Sequence, residues 1–339
     1  MMDVGLNNYT LTPPIVDAPL PGVGTNNHNQ GLHTGAGDYV WRTYHTHADA
    51  DTILYEHKLL AWLNQQPLSF AVPAPVPMKN GQTLCHTEAG FHALFPWLPG
   101  VPPDRKDPSH MVAVGAALGE LHTVLHGAST APRPGLAGYA ALAQIHPGLP
   151  EPWALTPAGL PPMAPPLAPA EIDALLSHWR AELIAIKQWT ASQYAALPVQ
   201  VIHGDFTPGN MLIVGKRVAA ILDFDFAIPD ARAVDVAAGL YYVMSVWENP
   251  EPWPVAAAFC QGYSRHVQLT HAEIAALPWL MRLRNAVSAI YRLGKHVAAN
   301  QPLPTWRLQA MLEFTDWLDK YGERFAQLLD ENCGPSRPA

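Results

Sequence analysis

The chain has few charged residues and few cysteines for a length of 339 residues. Charged residues make up 14% of the sequence, and 20 basic residues are outnumbered by 28 acidic ones without forming a basic cluster. This balance is unfavourable for binding nucleic acid or an anionic membrane surface. No run of 18 or more apolar residues occurs, so the sequence predicts no membrane-spanning helix.

The three cysteines, Cys85, Cys260 and Cys333, lie far apart in the sequence and match no metal-ligand spacing. An odd number of cysteines without a disulfide framework is typical of a reducing compartment. The first residues, MMDVGLNNYTLTPP, lack the basic segment and the apolar core of a signal peptide. We therefore expect a cytoplasmic protein.

Hydrophobic residues make up 49% of the chain, which is enough to form a core in each of about two domains. Aromatic and β-branched residues predict a strand at 38–44, and apolar residues at helical spacing predict a helix at 49–64. Further strands are predicted within 72–100, and helices at 109–126, at 170–196 and from 233 to 330. This order predicts an α+β chain that divides near residue 97, into parts 1–97 and 98–339.

The 35 prolines are unevenly distributed and are concentrated in the segment 127–170. Proline at this density excludes a long helix or a central strand. The segment is therefore either a flexible loop or an ordered cap between helices, and we favour a partly ordered insertion.

The most informative stretch is His203-Gly-Asp-Phe-Thr-Pro-Gly-Asn210, followed by two apolar strands and Ile221-Leu-Asp-Phe-Asp225. The strands 210–214 and 218–222 flank a Gly-Lys-Arg turn and predict an antiparallel hairpin. Pairing them places Asn210 roughly opposite Asp223 at the open end, where the loop carrying Asp205 also enters. Carboxylate and amide oxygens that converge in this way suit Mg²⁺. The alternative is that these residues are ordinary polar turn residues.

The pattern H-G-D-x-x-x-x-N followed by I-L-D-F-D resembles the catalytic segment of the aminoglycoside phosphotransferase/choline kinase family, the counterpart of two elements of protein kinases. The resemblance implies a two-lobed protein-kinase-like fold, with a small antiparallel-sheet N-lobe carrying one helix and a larger, mainly helical C-lobe. It implies ATP and Mg²⁺ as cofactors. Asp205 would act as catalytic base, Asn210 and Asp223 would hold Mg²⁺, and Asp225 would be a second metal ligand.

The resemblance extends to the N-terminal part. Gly22 and Gly24 would lie in a loop that covers the ATP phosphates with backbone N–H groups. Arg42 matches the strand lysine that grips the α- and β-phosphates, and Glu56 matches its ion-pair partner. Many relatives carry lysine there, but arginine also binds phosphate and carboxylate.

Four further features match the family. The connector containing Pro96, Trp97 and Leu98 corresponds to the hinge that binds adenine. His203 and Asp235 correspond to residues that support the catalytic loop structurally. His122 matches a family histidine for which we expect a packing role.

The acceptor is less well defined by the sequence. The layout, with a late R-L-R-N-A-V-S-A-I-Y-R-L helix, looks most like type II homoserine kinases, whose substrate carries a carboxylate and an ammonium group. Arg282, Arg284 and Arg292 on that helix are candidates for the carboxylate, and Glu248 for the ammonium group. The alternative is that these arginines face solvent or are structural.

Other functions remain open at this stage. An aminoglycoside, choline, ethanolamine or sugar kinase, or a protein Ser/Thr kinase, would share the fold. A nucleotide-binding pseudokinase or a metal-dependent hydrolase belongs to a different class. We expect a small-molecule hydroxyl substrate, with no nucleic-acid or membrane partner, and a monomer or homodimer.

Overall fold

A computed structural model of the chain describes residues 4–20, 26–45, 49–244 and 246–334. Within these residues the helices are α1 Ala50–Leu63, α2 Pro108–Leu125, α3 Pro169–Gln193, α4 Ala233–Met244, α5 Trp253–Tyr263, α6 His271–Ala298 and α7 Thr305–Asn332. The strands are β1 Ile15–Ala18, β2 His28–Thr34, β3 Gly37–Thr43, β4 Cys85–Thr87, β5 Gly90–Pro96, β6 Met163–Ala164, β7 Val199–Ile202, β8 Met211–Val214, β9 Arg217–Ile221, β10 Ile228–Ala231 and β11 Leu303–Pro304.

The N-terminal part is a five-stranded sheet in the order β1-β2-β3-β5-β4, in which every neighbouring pair is antiparallel. Helix α1 begins where the Asp49 side chain accepts a hydrogen bond from the Thr52 N–H, a common N-cap arrangement. Its buried residues include Ile53, Leu60 and Leu63, which recur at helical spacing as the sequence predicts. The sheet with its one helix confirms the expected N-lobe architecture.

Two antiparallel strand pairs follow and position the loops of the site. Strand β8 pairs with β9, with Met211 opposite Ile221, and β7 pairs with β10, with Ile202 opposite Ile228. The Leu222 N–H donates to the Asn210 carbonyl at 2.8 Å, which closes the open end of the β8–β9 hairpin. The predicted hairpin is therefore present.

The rest of the chain is mainly helical, and α2 and α5 approach each other very closely. A Cβ atom built on Gly262 would lie 2.1 Å from the Val112 carbonyl oxygen, and one built on Gly115 would lie 1.9 Å from that of Phe259. Two helices can come this close only where neither carries a side chain. The antiparallel sheet and the helical C-terminal part together confirm the α+β, kinase-like class.

The proline-rich segment 127–170 is an ordered cap. It forms short 3-10 helices at Leu142–Gln144, Pro152–Ala154 and Pro157–Gly159, and its strand β6 pairs in parallel with β11. The Trp179 indole N–H on α3 donates to the Pro152 carbonyl at 2.7 Å. No long helix or central strand forms in this segment, in agreement with its proline content.

The sequence reading of the cysteines is wrong in one respect. Cys260 and Cys333 are joined in a disulfide across a separation of 73 residues, while Cys85 is buried and lies outside that disulfide. The end of α7 packs against α5, which brings together two residues that no local pattern connects. Within the described residues, no helix is both long and apolar enough to cross a membrane.

We predict that Gly262→Ala lowers the free energy of unfolding by about 1–3 kcal/mol, because the added methyl group forces α2 and α5 apart. Chemical denaturation of the purified chain measures the effect. Gly322→Ala is the matched control, since a Cβ atom at this helical position of α7 meets nothing within 4 Å. Alanine there should stabilise the chain by about 0.5–1 kcal/mol. Equal effects of the two substitutions would contradict the close helix contact.

Candidate active site

The predicted catalytic loop, residues 203–210, follows β7. It is held by the buried carboxylate of Asp235 at the start of α4. Asp235 accepts hydrogen bonds from the backbone N–H groups of His203, at 2.7 Å, and Gly204, at 2.9 Å. The His122 ring lies 3.2 Å from the same carboxylate and 3.0 Å from the Tyr263 hydroxyl. Asp235 therefore lies where it can position the loop.

His203 is fully buried and bonded to backbone on both sides of its ring. Its Nδ1 accepts from the Asp205 N–H at 3.2 Å, and its Nε2 lies 2.9 Å from the Leu222 carbonyl. This pattern requires the neutral ring with its proton on Nε2. A ring held in this way joins the catalytic loop to the end of β9 and is not exposed to a substrate.

Gly204 adopts a conformation that other residues rarely adopt. Its φ is +79°, and a Cβ atom there would lie 2.1 Å from the Phe226 carbonyl oxygen. Glycine is therefore required for the catalytic loop to pack against the Asp223–Phe226 loop.

The Asp205 side chain contacts two of the other predicted residues. The Asn210 amide Nδ2 donates to the Asp205 backbone carbonyl at 2.9 Å and to its carboxylate at 3.2 Å. The Arg284 guanidinium lies 3.2 Å from the other carboxylate oxygen, and it also donates to the Tyr242 hydroxyl at 2.6 Å. Asp205 is thus held from two directions, with about a third of its side chain exposed.

The predicted metal-binding carboxylates lie beside the predicted phosphate-binding arginine. Arg42 contacts Asp225 at 2.9 Å, Glu56 at 3.6 Å and Asp223 at 3.7 Å. The Asn27 amide donates a further hydrogen bond to Asp225. Asp225 is therefore engaged by the N-terminal sheet, whereas Asp223 is more exposed and its backbone adopts a left-handed conformation, with φ +66°.

The charges of this cluster do not balance. Burial and then the Asp225 carboxylate raise the pKa of Asp223 to about 8, although Arg42 acts in the opposite direction. The same two causes raise the pKa of Glu56 well above its usual range. Burial disfavours a charge on Arg42, but the three carboxylates outweigh it and raise its pKa. With all three carboxylates ionised, negative charge would be in excess at this point, and the raised pKa values of Asp223 and Glu56 reflect that repulsion.

This excess is the observation that fits a divalent cation. Among the described residues, no three Asp, Glu, His or Cys side chains form a metal-binding group by themselves. Asp223 and the side-chain oxygen of Asn210 supply hard oxygen donors, and Mg²⁺ in phosphate-transferring sites takes only one or two carboxylates, with phosphates and water completing its shell. The donor set present is of that kind.

Besides Arg42 and Glu56, five residues were predicted to bind the nucleotide, two in the phosphate-covering loop and three at the connector. Gly22 and Gly24 lie outside the described residues. At the connector, Pro96 has no N–H and the Trp97 N–H already donates to the Asp38 carbonyl at 3.0 Å. Among the three predicted hinge residues, this leaves the Leu98 backbone N–H as the donor that could bind adenine.

A cavity of about 340 Å³ opens beside Asp205, between the catalytic loop, the proline-rich segment and α6. Of the four predicted substrate residues, Arg284 and Arg292 line it. Arg282 and Glu248 do not, because Arg282 pairs with Glu182 and Asp319, and Glu248 with Arg105. Residues 282, 284 and 292 cannot all face one side of a helix with 3.6 residues per turn, which explains the error.

The proline-rich segment contributes residues to the site that the sequence analysis did not identify. Arg133 is buried and donates to the carbonyls of Phe224, at 3.0 Å, and Ala227, at 3.1 Å. The Tyr139 hydroxyl donates to the Gly204 carbonyl, and its backbone N–H donates to Asp230 at 2.8 Å. The segment therefore holds both the catalytic loop and the Asp223–Phe226 loop.

One signal could have identified Arg133. It is the only Asp, Glu, Lys or Arg between Glu120 and Glu151, so a charge stands alone in a long apolar and proline-rich stretch. Asn27 offered a second signal, because it lies three residues after Gly24 of the predicted phosphate loop.

A small antiparallel sheet with one helix, a helical second part, and a catalytic loop beside a carboxylate hairpin define an ATP-dependent kinase. The model of the phosphotransferase enzyme family known as APH matches residues 19–277, and the chain belongs to this family. It is 32% identical to the homoserine kinase of Nitrobacter winogradskyi over 76% of this chain and 73% of that one. It is 28% identical to that of Allorhizobium ampelinum over 88% and 89%.

Solved structures show the same fold. The chain matches a microcompartment-associated aminopropanol kinase with a TM-score of 0.67 and 16% identity, covering 95% of this chain and 97% of the other. It matches an amicoumacin kinase with a TM-score of 0.64 and 17% identity, covering 97% and 92%. With the family assigned, the chain is an ATP-dependent phosphotransferase that acts on a hydroxyl group of a small molecule and requires a divalent metal.

We predict that Arg133→Gln lowers kcat about tenfold to 100-fold, because a small displacement of the Asp223–Phe226 loop misaligns the reacting groups. Steady-state kinetics at saturating ATP and acceptor measures it, and circular dichroism verifies that the variant is folded at the assay temperature. Arg180→Gln is the matched control, since Arg180 also donates to main-chain carbonyls, those of Trp153 and Leu155, but away from the site. A kcat equal to that of the control would exclude a positioning role for Arg133.

Proposed function

We propose that this kinase transfers the γ-phosphoryl group of Mg-ATP to a hydroxyl group of a small, carboxylate-bearing acceptor, with L-homoserine as the first candidate. The observation that carries the proposal is the charge of the cavity beside Asp205. Arg284, Arg292, Lys295 and Arg307 line it, and Asp205 is the only acidic residue among the described lining residues.

Asp205 is the catalytic residue of this proposal. It lies at the mouth of the cavity with part of its carboxylate exposed, so an acceptor hydroxyl can donate a hydrogen bond to it. As the hydroxyl oxygen forms its bond to the γ-phosphorus, the bond from that phosphorus to the bridging oxygen breaks and ADP leaves; the hydroxyl becomes acidic and Asp205 accepts its proton. Arg284 and Asn210 hold the carboxylate in position, which is the main requirement in phosphoryl transfer.

Asp223 and Asn210 are the proposed Mg²⁺ ligands, and Asp225 acts mainly through Arg42 and Asn27. When bound, Mg²⁺ neutralises charge on the transferring phosphoryl group. Arg42 and Glu56 form the proposed phosphate-binding pair, and the Leu98 backbone is the proposed adenine contact. We assign residues 1–97 to the nucleotide lobe and 98–339 to the catalytic lobe. We place the protein in the cytoplasm.

The acceptor assignment rests on charge and on the relatives. A polycationic aminoglycoside or a quaternary ammonium group would meet several cations in this cavity, and like charges in contact are strongly unfavourable. A carboxylate pairs well with an arginine guanidinium, which can bind it through two parallel hydrogen bonds. The curated relatives are named homoserine kinases, and homoserine carries such a carboxylate.

We expect Asp205→Asn to lower kcat by about 10²–10⁴-fold, the usual contribution of a general base, with little change in the affinity for Mg-ADP. A coupled assay of ADP release and calorimetric titration of Mg-ADP measure the two quantities. Asp173→Asn on the exposed face of α3 serves as control and should retain wild-type turnover. Wild-type turnover in Asp205→Asn would remove Asp205 from the reaction.

The acceptor is tested by the same assay with L-homoserine, 4-hydroxybutyrate, choline, ethanolamine and kanamycin. We expect turnover with the first two, which carry a carboxylate, and none with the three cationic compounds. Turnover restricted to kanamycin or choline would contradict the proposed acceptor class and leave the kinase assignment intact.

A further inference from the structure

Three cations line the far end of the acceptor cavity, and no acidic residue in the described part of the chain pairs with them. Arg292 and Lys295 are on α6, and Arg307 is on the first turn of α7. None of the three makes an ion pair or a side-chain hydrogen bond within the described part of the chain. Two of them lie near aromatic rings: Lys295 is 5.5 Å from the Tyr291 ring and Arg307 is 4.4 Å from the Trp306 ring.

Two further observations indicate a ligand at this end. The Nδ1 atom of His296, which also lines the cavity, is buried without a hydrogen-bond partner among the described residues. Burial, and then repulsion from the nearby Arg292 guanidinium, lowers the pKa of Arg307. Buried polar groups and like charges are usually satisfied in a native site.

Arg284 does not belong to this group. It is already bonded to Asp205 and Tyr242, at the end of the cavity where the hydroxyl reacts. Arg292 is eight residues farther along α6, about 12 Å along the helix axis. The cavity therefore has a reacting end and a separate cationic end.

A four-carbon amino acid would leave part of this cavity's positive charge and volume unmatched. Homoserine has no net charge, so three positive charges would remain, and its ammonium group would find no acidic partner except Asp205. The volume of about 340 Å³ lies in the range of cavities that enclose drug-sized ligands.

We infer that Arg292, Lys295 and Arg307 form an anion subsite, and that the preferred acceptor is an extended hydroxyl compound with two negative charges, one of them at the end remote from the hydroxyl. The inference rests on the proposed function and narrows its acceptor class. The remote group is a carboxylate or a phosphate monoester, since both bind arginine through two hydrogen bonds.

The test compares two acceptors of the same size and the same hydroxyl. N-succinyl-L-homoserine carries two carboxylates, and its terminal amide carries one. We expect kcat/KM to be about tenfold to 100-fold higher for the diacid, the usual range for a hydrogen bond to a charged group. In Arg292→Gln and Arg307→Gln this ratio should fall close to one. Arg217→Gln, at the exposed β8–β9 turn, is the matched control and should retain the wild-type ratio.

Equal kcat/KM values for the two compounds, or a ratio that both substitutions leave unchanged, would overturn the subsite. Calorimetric titration of both compounds in the presence of Mg-ADP gives an independent reading. Tighter binding of the diacid that is lost in Arg292→Gln supports the subsite even without turnover. Absence of ADP release with every acceptor, alongside that binding, would count against the proposed function alone.

Discussion

The site depends on one buried guanidinium, that of Arg42, which contacts three carboxylates from separate parts of the chain. Glu56 belongs to α1, whereas Asp223 and Asp225 follow β9, so Arg42 joins the N-terminal sheet to the catalytic part. One positive charge cannot balance three negative ones. Arg133, which donates to a main-chain carbonyl of the same loop, adds a second positive charge, and the three carboxylates still outnumber the two arginines. Two carboxylates held near each other in a buried site need a cation, and the reaction supplies one with the nucleotide.

The proline-rich segment 127–170 contacts the loops of the site and lines the acceptor cavity. Its Arg133 and Tyr139 hold the two loops that carry Asp205 and Asp223. Its Pro134 carbonyl accepts a hydrogen bond from the Thr52 hydroxyl at the start of α1, at 2.7 Å. A segment with only short 3-10 helices and a two-residue strand thus contacts α1, the Asp223–Phe226 loop and the catalytic loop. Its proline content suits this role, because a chain with fewer accessible conformations loses less entropy when it is fixed.

Patterns local in sequence predicted the structure well, and contacts between distant segments were predicted poorly. The β8–β9 hairpin and the meeting of Asp205 with Asn210 follow from strand alternation and a short turn, so the sequence was sufficient. The pairing of Cys260 with Cys333 and the distance of Arg282 from the cavity depend on how α5, α6 and α7 pack, which no local pattern specifies. Arg307 reaches the site from a segment that matches no catalytic motif, and the isolated charge of Arg133 does not indicate which loop it contacts, so the packed chain is needed to place both.

The central claim is that the carboxylate excess around Asp223 is the binding site of the divalent metal that accompanies the nucleotide. Electron paramagnetic resonance of Mn²⁺ titrated with the chain and ADP tests it most directly, because free Mn²⁺ gives a strong signal that disappears on binding. The account predicts one Mn²⁺ bound per chain in the presence of ADP, and loss of most of that binding in Asp223→Asn, with Asp173→Asn unchanged. Wild-type Mn²⁺ binding in Asp223→Asn would contradict it.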